Sequence, residues 1–517
     1  MKIIKKIAAI MLSVMMVLGM CSVVGAAGAT TSGTGTSGSI TINNAAPRET
    51  YKIYRILDLE SYSGSGETGN YAYKLRNDKV AGSTNSWSDF INSSGINGVY
   101  VTLDGDYVTW KGTADAAQFA KLALKYAKDN TTKIVEDQTE TAPEAAPGAT
   151  TSTVTFTGLP LGYYLVETSV GTVIALNTTN PTWTINDKNV APIVEKEVSK
   201  TESGTYGEKS TASIGDTVYF KTTITAQPGA QNYVLHDKMD AGLTFKDDVQ
   251  IQWIKKSDNT TKSLTKGSEY DVTTTNLETT APKCTFHVTF KQDFCDELAK
   301  EDTIVITYSA TLNEKAVIAG EGNKNETWLK YGDNSVTTHE TTTTKTYEIP
   351  VFKYTEKTVG DKTGLPNAEF TLSKNEKGTN PIELVDITAT GETDKTYRVA
   401  MESEKSVTPK KTTTTITTPS TGKFTIKGLD ADTYYLTETK QPAGYNKLSV
   451  PVKIVINEGG TITIGESTDP VDKVEVENKS GSILPSTGGM GTTLFYIFGA
   501  ILVVGSGVVL ITKKRMK

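Results

Sequence analysis

Along most of the chain, apolar and polar positions alternate in short runs closed by Gly, Pro, Asn or Asp. A period of two is the mark of a half-buried strand. It predicts strands at Ser39 to Asn43, Thr50 to Asp58, Val99 to Leu103, Val154 to Thr157, Tyr163 to Thr168 and Val173 to Asn177. One segment departs from that period. In Ala114 to Asp129, the positions of Phe119, Leu122, Leu124 and Tyr126 give a helix an apolar face. The first domain, roughly residues 40 to 190, therefore reads as β-rich with a helical insertion. Its Ala/Pro/Thr-rich stretch 139 to 150 reads as a surface loop. Two further strand-rich blocks, 191 to 345 and 347 to 480, meet at the Thr-rich segment His339 to Thr346. Their lengths suit sandwiches of the immunoglobulin kind, and no repeat of 20 to 50 residues suggests a solenoid. The expected fold is all-β: tandem immunoglobulin-like sandwich domains.

Composition narrows the function. Of 517 residues 37% are apolar and 22% charged, so the chain can build more than one core. With 3 His and 3 Cys, one Cys inside the apolar leader, a dedicated metal site is not expected, and no cofactor is implied. No Ser/His/Asp or Cys/His set and no Gly-rich phosphate loop suggests an enzyme. A net charge of -6 argues against nucleic acid, which needs a basic face.

The two ends carry processing signals. Lys2, Lys5 and Lys6, the apolar run Ile7 to Val24 and the small residues Gly25, Ala26 and Ala27 read as a secretory signal peptide, residues 1 to 27. A lipoprotein site at Cys21 is the rival, but Met20 stands where a small residue is needed. Residues 28 to 39 form a flexible Gly/Ser/Thr/Ala start. At the other end, Leu484-Pro485-Ser486-Thr487-Gly488 precedes an apolar stretch, Leu494 to Ile511, and a tail with Lys513, Lys514, Arg515 and Lys517. The stretch is long enough for a transmembrane helix, and the basic tail keeps its end cytoplasmic. Losing three positive charges with the leader and four with the tail takes the formal charge from -6 to -13.

Three polar residues share phase with core residues in the third block. Lys353 follows Ile349 and Val351, Asn478 follows Val474 and Val476, and Glu438 follows Tyr434 and Leu436. An isolated case would be a strand-end residue snorkelling to water. Three inward polar groups in one small domain ask for a chemical resolution, because an unpaired buried charge is expensive. Burial lowers the pKa of a Lys and raises that of a Glu. A neutral amine can then attack an Asn side-chain carbonyl while the acid shuttles protons, leaving an isopeptide bond and ammonia.

Several motifs resemble those of Gram-positive surface pilins. The ordered pentapeptide, apolar span and basic tail, residues 484 to 517, look like a cell-wall sorting signal. That resemblance implies sortase cleavage between Thr487 and Gly488 and transfer of the Thr487 carboxyl to an amine. Tyr434-Tyr435-Leu436-Thr437-Glu438-Thr439-Lys440-Gln441-Pro442-Ala443-Gly444-Tyr445 resembles the pilin E-box, and Gly364 to Leu372 looks like the opening of a collagen-adhesin B-type domain. The implied bond joins Lys353 to Asn478 with Glu438 as catalyst. In the middle block, Val194, Lys196 and Val198 share a face, as do Leu235, Asp237 and Met239, and Asn325, Thr327 and Leu329. The segment from Ile214-Gly215-Asp216 to Gly242-Leu243-Thr244 is similar to the fimbrial isopeptide-forming middle domain. Lys196 is assigned to Asn325 with Asp237, and Asn334 is the competitor on the opposite phase.

Before the middle block, Asn186-Asp187-Lys188-Asn189 is a degenerate form of the Tyr-Pro-Lys-Asn setting in which backbone pilins carry their intersubunit lysine. Lys188 is the candidate, an ordinary solvated lysine being the competing reading. Lys52 and Glu167 form a weaker first-domain pair, since Tyr164-Leu165-Val166-Glu167 resembles a partial E-box. Cys284 and Cys295, the cysteines left after leader removal, are expected to form a disulfide in an exported chain.

The resemblance implies the backbone subunit of a sortase-assembled pilus, secreted and covalently anchored to the cell wall. Its expected partners are pilin-specific and housekeeping sortases, identical subunits and peptidoglycan, with minor pilins and host ligands beyond them. The alternative is a monomeric wall-anchored adhesin or a minor pilin that binds a host ligand.

Overall fold

The computed structural model describes residues 37 to 481, apart from 64–69, 77–78, 81–82, 85, 171–172, 178–181, 188–190, 228–229 and 276–282, together with Val503. Strands dominate. The first domain has a small sheet in which Ser37–Ala45 lies between Thr182–Asn186 and Ser152–Pro160. A larger sheet is centred on Thr50–Ser63, flanked by Gly162–Thr168 and Asn70–Leu75. Ile40, Ile42, Ile53, Val154, Phe156 and Val166 fill the space between the two sheets.

The helical insertion spans Ala116–Asp129 and closes a second apolar cluster with Trp87, Phe90 and Ile91. Its buried face is Phe119, Ala120, Ala123, Leu124 and Ala127, with Leu122 and Tyr126 at the margin. Alanines at helical spacing let the helix lie close to the sheet, so the face is rotated from the one that the larger side chains suggest. The stretch 139 to 150 is not wholly a loop: Gln138–Thr141 pairs with Thr50–Ile53 at the sheet edge. Tyr107–Trp110 and Asn70–Leu75 are strands that the sequence analysis did not single out.

The middle domain is a two-sheet sandwich. One sheet runs Ile193–Ser199, Thr217–Thr225, Thr303–Leu312, Gln250–Ile254, Thr261–Ser263. The facing sheet runs Lys209–Thr211, Glu340–Lys345, Asn323–Tyr331, Val234–Met239, Phe286–Phe290, Tyr270–Thr273. In Thr217–Thr225, intermediate and buried residues alternate at every position, as a period of two requires.

The third domain repeats the plan with different wiring. Its first strand, Tyr347–Glu356, has Lys423–Leu429 as an antiparallel neighbour and its last strand, Val474–Glu477, as a parallel one. Glu369–Ser373 and Thr433–Lys440 pair in the opposing sheet. A single residue, Thr346, separates the last strand of the middle domain from the first of the third. Buried apolar residues of the two domains form one contiguous cluster.

Candidate crosslinking centres

In the third domain, Lys353 lies in Tyr347–Glu356, where buried positions alternate from Tyr347 through Ile349 and Val351 to the lysine itself. Lys353, Glu438 and Asn478 are 0%, 2% and 1% exposed, so all three polar side chains are in the core. The parallel register sets Lys353 opposite Val476, and the Asn478 N–H donates to the Tyr354 carbonyl at 2.9 Å. That places the Asn478 side chain beside the lysine, and the Lys353 ammonium donates to Asn478 Oδ1. Glu438 arrives from the facing sheet. Its Oε1 accepts from Asn478 Nδ2 at 3.0 Å and lies 3.4 Å from Lys353 Nζ, while its Oε2 accepts from the Leu448 N–H at 2.7 Å. The Phe370 ring covers the amine at 5.7 Å from the ring centre. Burial lowers the Lys353 pKa to about 8, against the opposing pull of Glu438.

The middle-domain centre is built across the sandwich instead of within one sheet. Lys196 comes from the strand Ile193–Ser199, and Asp237 and Asn325 come from the opposing sheet. Asp237 pairs with Thr327 and Met239 with Asn325, so Asp237 and Asn325 are diagonal neighbours on the inward face. Lys196 Nζ lies 2.6 Å from Asp237 Oδ2, both side chains having no exposed surface. Burial pushes the Lys196 pKa down and that of Asp237 up, each against the attraction of the other. Both shifts favour a neutral amine beside a neutral acid.

Tyr308, which the sequence analysis missed, completes this centre. Its hydroxyl accepts from Lys196 and from Asn325 Nδ2, the latter at 3.3 Å, and donates to Asp237 Oδ2. Burial and the Asp237 charge hold its pKa well above the ordinary phenol value, so it stays a donor. The available signal was phase: Ile304, Ile306, Tyr308, Ala310 and Leu312 lie on one face of Thr303–Leu312. Phe220 stacks on Tyr308 and Phe286 meets its ring edge-on, which gives Lys196 an aromatic surround.

The remaining candidates fall elsewhere. Asn334 sits in a turn where its side chain donates to the Arg48 carbonyl of the first domain, so it does not meet Lys196. Glu167 is opposite Lys52 in the sheet, yet its carboxylate engages the Tyr54 hydroxyl at 3.2 Å and Lys128 at 3.2 Å. Lys188, Thr487 and Gly488 lie outside the described residues; Asp187, just before Lys188, is buried and accepts from the Tyr51 hydroxyl at 2.8 Å. Among the described residues no helix is long and apolar enough to cross a membrane, and the expected span 494–511 lies outside them except for Val503.

The disulfide expected between Cys284 and Cys295 is not formed. Cys295, in the short helix Gln292–Glu297, packs into the middle-domain core, where burial raises its pKa to about 12. Cys284 instead places its Sγ 3.3 Å from His236 Nδ1.

Three segments of the chain match known families. Residues 214–335 match the family described as Gram-positive pilin backbone subunit 2, Cna-B-like domain. Residues 350–468 match the SpaA prealbumin-like fold domain, and residues 477–517 match the LPXTG cell wall anchor motif. No curated protein sequence matches the chain significantly. Among solved structures, the pilus 2b backbone protein of group B streptococcus is 24% identical, covering 56% of this chain and 99% of its own, with a TM-score of 0.40. Full-length RrgB pilus protein from Streptococcus pneumoniae is 14% identical, covering 88% of this chain and 99% of its own, at 0.43. The T6 backbone pilin of Streptococcus pyogenes is 16% identical, covering 81% and 80%, at 0.41.

Proposed function

We propose, from a chain that carries a Gram-positive pilin backbone domain, a prealbumin-like domain and an LPXTG wall anchor, that this protein is the backbone subunit of a covalently polymerised pilus locked internally by two isopeptide bonds. The anchor motif attaches it covalently to the cell wall at the cell surface, and its role is structural. The observation that carries the internal chemistry is the same in both domains: a lysine, a carboxyl group and an asparagine meet inside an apolar core.

The reaction balances without a co-reactant. The neutral amine of Lys353 attacks Cγ of Asn478, the C–N bond to the side-chain amide breaks, and ammonia leaves. Glu438, already hydrogen-bonded to the departing nitrogen, carries a proton from the attacking nitrogen to the leaving one. In the middle domain Lys196 and Asn325 react in the same way, with Asp237 moving the proton and Tyr308 holding the amine, acid and amide at one point.

Polymerisation is a separate acyl transfer. Sortase cleaves after Thr487, and the Lys188 amine of the next subunit takes the acyl group. Support for Lys188 is its place between the first and middle domains, next to an Asp187 anchored in the first-domain core. Lys188→Arg keeps the charge and removes the nucleophile. In cells, this variant is expected to lose the ladder of high-mass, denaturant-resistant species while still displaying folded monomer. A full ladder from Lys188→Arg cells would refute the assignment.

A further inference from the structure

The chain has only three histidines, and the fold gathers all of them on the outer face of one middle-domain sheet. His236 lies directly opposite His287 on one neighbouring strand and Trp328 on the other. The His236 ring stacks flat on Trp328, 5.2 Å between centres and 3° between planes, and His339 stacks on the same indole at 4.6 Å. Along the strand, Leu235 and Asp237 face the core, so His236 faces away from the crosslinking centre. Cys284, two residues before the strand that carries His287, reaches the same spot with its Sγ 3.3 Å from His236 Nδ1.

We propose that His236, His287 and Cys284 bind a borderline divalent transition metal of the zinc class. Their potential ligand atoms all lie within 4.8 Å of one another. Tetrahedral bonds of about 2.0 to 2.3 Å require ligand atoms roughly 3.3 to 3.8 Å apart, which His236 and Cys284 already meet. The remaining closure is within reach of side-chain rotation. Two imidazoles and a thiolate form a nitrogen and sulfur donor set that discriminates against calcium and magnesium, which prefer oxygen. The Trp328 stack fixes the His236 ring, as supporting groups around a metal ligand do. A cavity of about 440 Å³ lined by His236 and His287 with Thr289, Lys330, Asp333 and Asn334 opens beside the two imidazoles. Binding releases the Cys284 thiol proton to solvent as the thiolate forms.

The test uses the mature chain with all three domains, kept reduced, stripped with chelator and titrated with Co²⁺. The expected result is one equivalent bound, with the strong visible bands of a tetrahedral ion and a near-ultraviolet thiolate band, both abolished by Zn²⁺ and untouched by Ca²⁺. Cys284→Ser is expected to lose the thiolate band, and His287→Ala to weaken binding by about tenfold or more. Cys295→Ser, which alters a thiol of the core, is expected to bind like the parent. Intact mass and thermal unfolding establish that each variant is folded. Absence of a thiolate band in the parent, its survival in Cys284→Ser, or its loss in Cys295→Ser would each overturn the assignment.

Discussion

A lysine without exposed surface is a severe local problem, and burial answers it at Lys353 and Lys196 by lowering the pKa of the amine. For Lys353 the burial cost exceeds the pull of Glu438, which leaves the amine near a pKa of about 8. The unfolded chain holds the same amine near about 10.4. In Asn478→Ala, which leaves the amine unlinked, the unfolded state carries a proton between those two values that the native state has released. Stability therefore rises with pH from about 8 to 10.4, and below about 8 the burial penalty is present in full. Thermal unfolding of this variant at pH 7.5 and 9.5, compared with Lys353→Met/Asn478→Ala, checks the sign. The single variant is expected to gain on the double variant as pH rises; a constant difference would mean that the amine stays charged in the fold.

At the scale of strands, alternation points Lys353, Glu438, Lys196 and Asp237 inward, because each sits in line with apolar neighbours, and Asn478 continues the phase of Val474 and Val476 one residue past their strand; Asn325, whose in-phase neighbours Asn323 and Thr327 are polar, needed the family resemblance as well. Tyr308 was missed because a tyrosine in phase with isoleucines reads as ordinary core until its hydroxyl's partners are known. The histidine row was illegible for a different reason: His236, His287 and His339 come together only through strand pairing, which the sequence pattern does not fix. The junction between the first two domains was also beyond a pattern reading. Glu49, fully buried at the start of Thr50–Ser63, accepts the Asp333 and Asn334 N–H groups and the Ser335 hydroxyl of the middle domain at 2.8, 2.8 and 2.7 Å. Gly332 enters that turn at φ +61, where an added Cβ would lie 2.8 Å from Glu49 Oε2. Glu49→Ala removes these bonds, at a cost of about 0.5 to 1.5 kcal/mol each since the donors lie on exposed or half-buried residues. Limited proteolysis should cut faster between the first and middle domains, by about tenfold for each 1.4 kcal/mol lost, with the fragments themselves still folded. An unchanged cleavage rate would show that the latch adds nothing to the joint.

For the whole molecule, the two proposed bonds redirect force. A pull between Lys188 and Thr487 follows the chain only over 188–196, 325–353 and 478–487, because each isopeptide bond bypasses the residues between its ends. The first domain lies outside that path. Where that path passes from the middle to the third domain, Thr346 donates its hydroxyl to the Leu429 carbonyl at 3.2 Å, and beside the path the Ile214 N–H donates to the Gly428 carbonyl at 2.9 Å and Lys200 pairs with Asp430 at 2.8 Å across the same joint. The wiring explains the difference between the two centres. In the third domain the bond ties the first strand to the last as parallel neighbours in one sheet; in the middle domain it ties one sheet to the other. Each closes a loop of more than a hundred residues, for which chain entropy alone gives a stabilisation of about 4.7 kcal/mol.

The intact mass of the denatured, reduced mature chain tests this account most directly. Each crosslink expels one ammonia, about 17 Da, so the parent is expected to weigh two ammonias less than its sequence. Asp237→Ala and Glu438→Ala are each expected to regain one. A parent chain at its full sequence mass, or variants that leave the deficit unchanged, would contradict it.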